Sequence, residues 1–184
     1  MNTKIEIGKA VSDAFAIFKK NAVLLIVTML ICSLVSSVTA EICLGGMLIG
    51  YFAICLRLID NDAKKPEIGD IFKGFSFILP GLVFSIVGEL GWLVCGIGLL
   101  VTLPVSFWAM MLVAEKPEMS MGDALKESFD LIFKKKMWGL VLLGLVVEII
   151  ATLGLVLCIV GCLATVPLAF LILVCAYRQV YPKA

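Results

Sequence analysis

The chain has 184 residues, 62% of them hydrophobic, and its 15 basic residues against 14 acids leave a net charge of +1. That apolar share exceeds the roughly 45–50% usual for soluble proteins and points to a membrane protein, while near-neutrality excludes a global electrostatic case for nucleic acid. The absence of His removes Ser-His, Cys-His and His-ligated metal chemistry, so no metal and no cofactor are expected and the reading is non-enzymatic.

Residues 3–20 predict an amphipathic helix. Ile7, Val11, Ala14, Phe15 and Phe18 fall on one face, Lys9, Lys19 and Lys20 on the other, behind a Thr3-x-x-Glu6 capping box. The acids here do not fit a cleavable signal peptide, so the segment is expected to stay on the protein. The apolar stretch Ala22 to Leu58 is about twice the ~20 residues a helix needs to cross hydrocarbon, which predicts a hairpin with spans near 22–40 and 44–60. Pro66 then starts a shorter amphipathic segment with Ile68, Ile71, Phe72 and Phe75 on one face and Lys73 beside them. Phe75 to Ala114 predicts spans near 76–94 and 98–114. Ser120-x-x-Asp123 opens a third amphipathic helix bearing Met121, Leu125, Phe129 and Ile132, with Lys134, Lys135 and Lys136 at its end. Met137 to Tyr177 predicts spans near 138–156 and 160–177. The expected fold is all-α: a polytopic bundle of six transmembrane helices in three hairpins, each preceded by an amphipathic interfacial helix whose apolar face meets acyl chains.

All 15 basic residues fall outside the three hairpin turns, so the positive-inside rule predicts a plasma-membrane protein with both termini cytoplasmic. Trp138, Tyr177 and Tyr181 then fall at the inner interface.

Self-similarity divides the chain into repeats of about 1–62, 63–118 and 119–184. LGWLVCGIGLLVTLPVSF (90–107) and LGLVLCIVGCLATVPLAF (153–170) share eight identities in 18 positions at an offset of 63. Cys43 and Gly46 correspond to Cys95 and Gly98, then to Cys158 and Gly161, which marks the outer turn of each unit. A Phe-Lys pair precedes each turn, at Phe18-Lys19, Phe72-Lys73 and Phe133-Lys134. Every unit starts on the same side, so the repeats are parallel and a threefold arrangement about the membrane normal is the simplest expectation.

An acid in hydrocarbon costs about 2.5–3.5 kcal/mol, which makes Glu41, Glu89 and Glu148 the candidate intramembrane polar sites. Glu148 is the deepest, roughly 15 Å below its turn. It reads either as a proton or cation relay or as a protonated carboxyl bonded to a neighbouring helix. Pro104 and Pro167 predict matched helix kinks, with Thr102 and Thr165 placed to compensate freed carbonyls. The seven Cys lie in apolar stretches and read as free, structural thiols.

The Phe-Lys openings, the Pro-x-x-Phe helices and the terminal Ala176-Tyr177-Arg178-Gln179-Val180-Tyr181 resemble a large group of uncharacterised prokaryotic six-span membrane proteins. That group includes the membrane domain sometimes fused to glycerophosphodiester phosphodiesterases. The resemblance implies a bacterial or archaeal envelope protein and carries over no catalytic residue. Two functions follow. The first is a membrane protein whose Lys9, Lys19, Lys20, Lys73 and Lys134 to Lys136 engage anionic lipid, or whose amphipathic helices dock a protein partner or a second copy. The alternative is a small transporter or channel component using Glu148 and Glu89.

Overall fold

The computed structural model describes residues 5–94, 98–134, 138–156 and 158–183, and among them every regular element is helical. In chain order these are α1 (Ile7–Val38), α2 (Leu44–Ile59), a 3-10 helix (Ile68–Phe77) running into α3 (Ile78–Glu89), a short 3-10 helix (Leu90–Val94), α4 (Leu99–Glu115), α5 (Met121–Phe133), α6 (Gly139–Val156) and α7 (Cys158–Val180). Three segments are long and apolar enough to cross a membrane: Ile7–Val38, Ile68–Glu89 and Gly161–Val180. The apolar helices Leu44–Ile59, Leu99–Glu115 and Gly139–Gly154 are shorter. At 16 residues α2 covers only about 24 Å of a hydrocarbon core roughly 30 Å thick.

The three openings differ. The first joins its span as one helix, α1, with a break at Asn21 (φ −127°, ψ 20°), where the side chain donates to the Ile17 carbonyl at 3.0 Å. The expected boundary near residue 22 is therefore a kink. Small Ala10 and Ala14 let the start of α1 pack closely, and α1 lies against α7. The third opening, α5, is capped as its sequence predicts, the Asp123 amide donating to Ser120 Oγ at 3.2 Å. Its buried face is Ala124, Ser128, Leu131 and Ile132, packed on α4, which corrects the expectation that Ile132 faces acyl chains: it is 0% exposed. Phe129 and Phe133 take the outward positions instead.

The middle opening is not a separate interfacial helix. Residues 68–77 wind as a 3-10 helix along α2 and continue directly into α3. The cause is glycine. A methyl at Gly46 would lie 2.8 Å from the Gly74 carbonyl oxygen, and one at Gly50 would lie 2.5 Å from that of Ile71, so the two backbones touch with no side chain between them. Small residues are what permit such approach in lipid, where the solvent gives helices no hydrophobic reason to associate.

The core is an inner triangle of α2, α4 and α7, each touching the other two. At its centre Phe52, Phe107 and Phe170 meet edge to face, with ring centroids 6.3, 5.6 and 5.3 Å apart. Around it α1 packs on α2 and α7, α3 on α2 and α4, and α6 on α4 and α7. Each first helix of a hairpin thus fills the groove between two second helices. The two later turns share a contact at the 63-residue offset: a methyl at Gly91 would clash with the Leu99 amide nitrogen, and one at Gly154 would sit 3.0 Å from that of Cys162.

Pro104 and Pro167 lie inside α4 and α7 as predicted. The threonines do a different job from the expected one. Thr102 Oγ1 donates to the carbonyls of Gly88 (2.7 Å) and Gly98 (3.2 Å), and Thr165 Oγ1 to that of Gly161 (3.1 Å), so neither covers the carbonyl its proline frees. Thr102 ties the end of α3 to the start of α4.

Candidate functional site

The ends of the three inner helices carry the densest polar cluster. Asp60 caps α2, Glu115 is the last residue of α4, and Arg178 lies in the last turn of α7. The Arg178 Nη2 donates to Asp60 Oδ2 at 2.7 Å, while Nη1 donates to Glu115 and, at 3.3 Å, to the Tyr181 carbonyl. These side chains are 11%, 7% and 23% exposed for Arg178, Asp60 and Glu115. Partial burial takes water from each charge, so the planar guanidinium fork is suited here, offering fixed donors to two carboxylates at once.

A second ring of contacts supports this triad. The Tyr177 hydroxyl donates to Glu115, and Tyr181 donates to Glu127 on α5. The two tyrosine rings stack at 5.0 Å, with Trp108 5.3 Å from Tyr177. Lys183 Nζ reaches Asp62 at 2.7 Å and Asp60 at 3.4 Å. Its hydrogen bond and charge hold the Asp62 carboxyl below the usual carboxylate range, and Asp62 in turn raises Lys183. Arg57 bonds Asp70 at 2.8 Å and the Lys64 carbonyl at 2.9 Å, and Asp70 also accepts from the Glu67 amide at 3.0 Å. Gln179 pairs with the Glu6 backbone in both directions, at 2.8 and 3.1 Å, which joins the two ends of the chain. Beside this pair, a cavity of about 620 Å³ between α1 and α7 is lined by Lys9, Asp13, Cys175 and Arg178 among others.

Sequence reasoning missed this cluster because it sought charge inside the hydrocarbon. One signal was present: Glu115 and Arg178 are themselves 63 residues apart, opposite charges at equivalent repeat positions.

The carboxylates singled out from sequence sit elsewhere. Glu41 is exposed in the turn after α1 at φ 66°, Glu89 is exposed at the end of α3, and Glu148 is exposed on α6. They form no common cluster among the described residues. Glu148 borders a crevice of about 220 Å³ between α4, α6 and α7. At the turns, Cys43 is buried with a free thiol, and Gly46 packs on the 68–77 segment. Gly98 and Gly161 carry the threonine bonds just given. Cys95 and the side chain of Cys158 lie outside the described residues, as do Lys135 and Lys136.

Lys9, Lys19, Lys20, Lys73 and Lys134 are all exposed. Beside them stand outward-facing aromatics, one set at the start of each unit. Lys19 Nζ lies 4.6 Å over the Phe15 ring; Phe72 and Phe75 stack at 6.0 Å around Lys73; Phe129 and Phe133 stack at 4.2 Å before Lys134. Lys73 and Lys134 also pair with Asp70 (2.7 Å) and Asp130 (2.9 Å). The chain matches no protein-family profile, no curated protein and no solved structure.

Proposed function

We propose that the chain is a six-span plasma-membrane protein of three parallel hairpin repeats, both termini cytoplasmic, whose non-catalytic role is to hold anionic lipid at its inner face. The observation that carries this reading is the set of exposed aromatics with lysines beside them: the single Phe15 and the pairs Phe72–Phe75 and Phe129–Phe133. Phe on the apolar side of an amphipathic segment enters the acyl boundary, and lysines beside it read phosphate charge. The short α2, α4 and α6 are compatible with six spans because each packs against longer neighbours, and a bilayer thins around a short hydrophobic stretch at a cost of fractions of a kcal/mol per Å. A pore reading has less support, since Phe52, Phe107 and Phe170 fill the middle of the inner triangle and Trp108 and Tyr177 are buried below them.

Orientation is tested by single Cys residues at Lys64 and Ser120 in a Cys-less chain. Both are expected to react with a membrane-impermeant maleimide only from the cytoplasmic side, and labelling of either from outside overturns the six-span arrangement. Lipid retention is tested by reversing Lys134, Lys135 and Lys136 to Glu. Each basic side chain near an anionic surface is worth about 1 kcal/mol, roughly fivefold in local enrichment, and the attraction fades with salt. Lipid quantification on the purified variant is expected to show anionic lipid depleted severalfold relative to wild type. Undiminished retention in a folded, correctly oriented variant would sink the lipid role and leave protein docking.

A further inference from the structure

The crevice beside Glu148 has features the lipid-surface role does not use. Its walls are Leu103, Pro104 and Phe107 from α4, Val147 from α6 and Leu173 from α7. Gly144 opens it: a methyl there would lie 2.9 Å from the Pro104 ring, so α6 rides directly on Pro104. Gly144, Val147 and Glu148 share a helix face at i, i+3 and i+4, which sets the carboxyl at the rim of the apolar hollow. Glu148 is the tenth of the 18 residues of α6, roughly 13 Å along the helix and near its midpoint. Among the described residues that line the crevice it is the one charged group. The nearby Thr152 hydroxyl donates to the Glu148 main-chain carbonyl at 2.7 Å and leaves the carboxyl aside.

With α6 across the membrane, a carboxylate at the helix midpoint is a functional-site candidate that calls for a partner of opposite charge. An apolar cavity of about 150 Å³ holds a benzene ring. At about 220 Å³ this crevice has room for one aromatic ring or a short alkyl group. From this geometry we infer that the crevice is a membrane-facing binding site for a lipophilic cation, an aryl or alkyl onium whose apolar arm enters between α4 and α6 and whose charge rests on Glu148. The inference depends on α6 spanning the membrane and is independent of the lysine patches.

The test uses the full chain in nanodiscs of phosphatidylcholine, whose zwitterionic headgroups add no net charge of their own, with radiolabelled tetraphenylphosphonium as probe. Saturable binding near one per chain is expected. Glu148→Gln is expected to weaken it at least tenfold, and Leu100→Trp, which fills the exposed mouth of the crevice, by a similar factor. Glu41→Gln and Glu89→Gln are expected to bind as wild type. Absence of saturable binding, or full binding by Glu148→Gln, overturns the site. So does equal loss in all three Glu variants, which indicates surface charge alone. Full binding by Leu100→Trp alongside loss in Glu148→Gln overturns the crevice as the seat of the apolar arm. The maleimide pattern at positions 64 and 120 separates these results from a chain that does not span as proposed.

Discussion

Arg178→Met is expected to lower stability by about 3 kcal/mol, the low end of the cost of leaving buried carboxylates without their counter-charge, since these are part-buried. Asp60 is 7% exposed and Glu115 23%, and both accept from the same guanidinium, so its loss strands acids at the ends of α2 and α4 together. Lys183 cannot replace it. Its ammonium lies 3.4 Å from Asp60 on a side chain 54% exposed, and Lys183→Ala is expected to change stability by about 0–1 kcal/mol, as exposed pairs do. Trp108, 5.3 Å from Tyr177, reports on this region directly, so detergent-solubilised unfolding followed by Trp fluorescence reads both variants. A shift for Arg178→Met no larger than that for Lys183→Ala would refute the triad as a structural tie. Adding Asp60→Leu and Glu115→Leu to Arg178→Met is expected to recover much of the loss, because the penalty belongs to the uncompensated charge more than to the missing contact.

Hydropathy and periodicity carried much of the architecture because those signals are local. The turn after α1 falls at residues 39–43, where the first hairpin was expected to reverse, and the kink at Asn21 falls where the first span was expected to begin. Ser120 caps α5 because its oxygen needs only a backbone amide three residues on. The inner charge cluster obeys no such window. Arg178 pairs with Asp60 across 118 residues, Tyr181 with Glu127 across 54, and Arg57 with Asp70 across 13. Only the packing of α2, α4 and α7, with α5 and the 68–77 segment against them, brings those residues together, so charge near the loops read as orientation signal and the pairing stayed hidden.

The amphipathic faces were legible as faces, but what each face meets was not. Phe129 and Ile132 share an apolar stripe in sequence, yet only Ile132 turns onto α4, since a helix seated against another buries part of its stripe and exposes the rest. The same limit applies to Glu148. Its distance from the turn could be counted, whereas the crevice beside it depends on Gly144 meeting Pro104, on different helices and far apart in the chain.

Residues 68–77 turn that limit into a measurement. The spacing of Ile68, Ile71, Phe72 and Phe75 predicts an interfacial segment, and on such a segment Gly74 would be free of neighbours. In the structure a side chain at Gly74 meets the Gly46 backbone, and one at Gly81 meets the backbones of Gly45 and Gly46. Backbone cannot swing aside as a flexible side chain can, so Gly74→Val is expected to cost about 3 kcal/mol, the upper end for overpacking. The displaced segment also carries Asp70 away from Arg57, now 2.8 Å apart, which weakens the inner cluster from a second direction. Gly8 and Gly122 supply the controls. Neither has any atom within 4 Å of an added methyl, and both lie in α-helices, so Gly8→Ala and Gly122→Ala are expected to be neutral or to stabilise by up to about 1 kcal/mol. Unfolding midpoints measured side by side decide between a packed and an interfacial segment: if Gly74→Val proves as mild as the two controls, residues 68–77 lie off α2 and the glycine contact does not hold the middle hairpin.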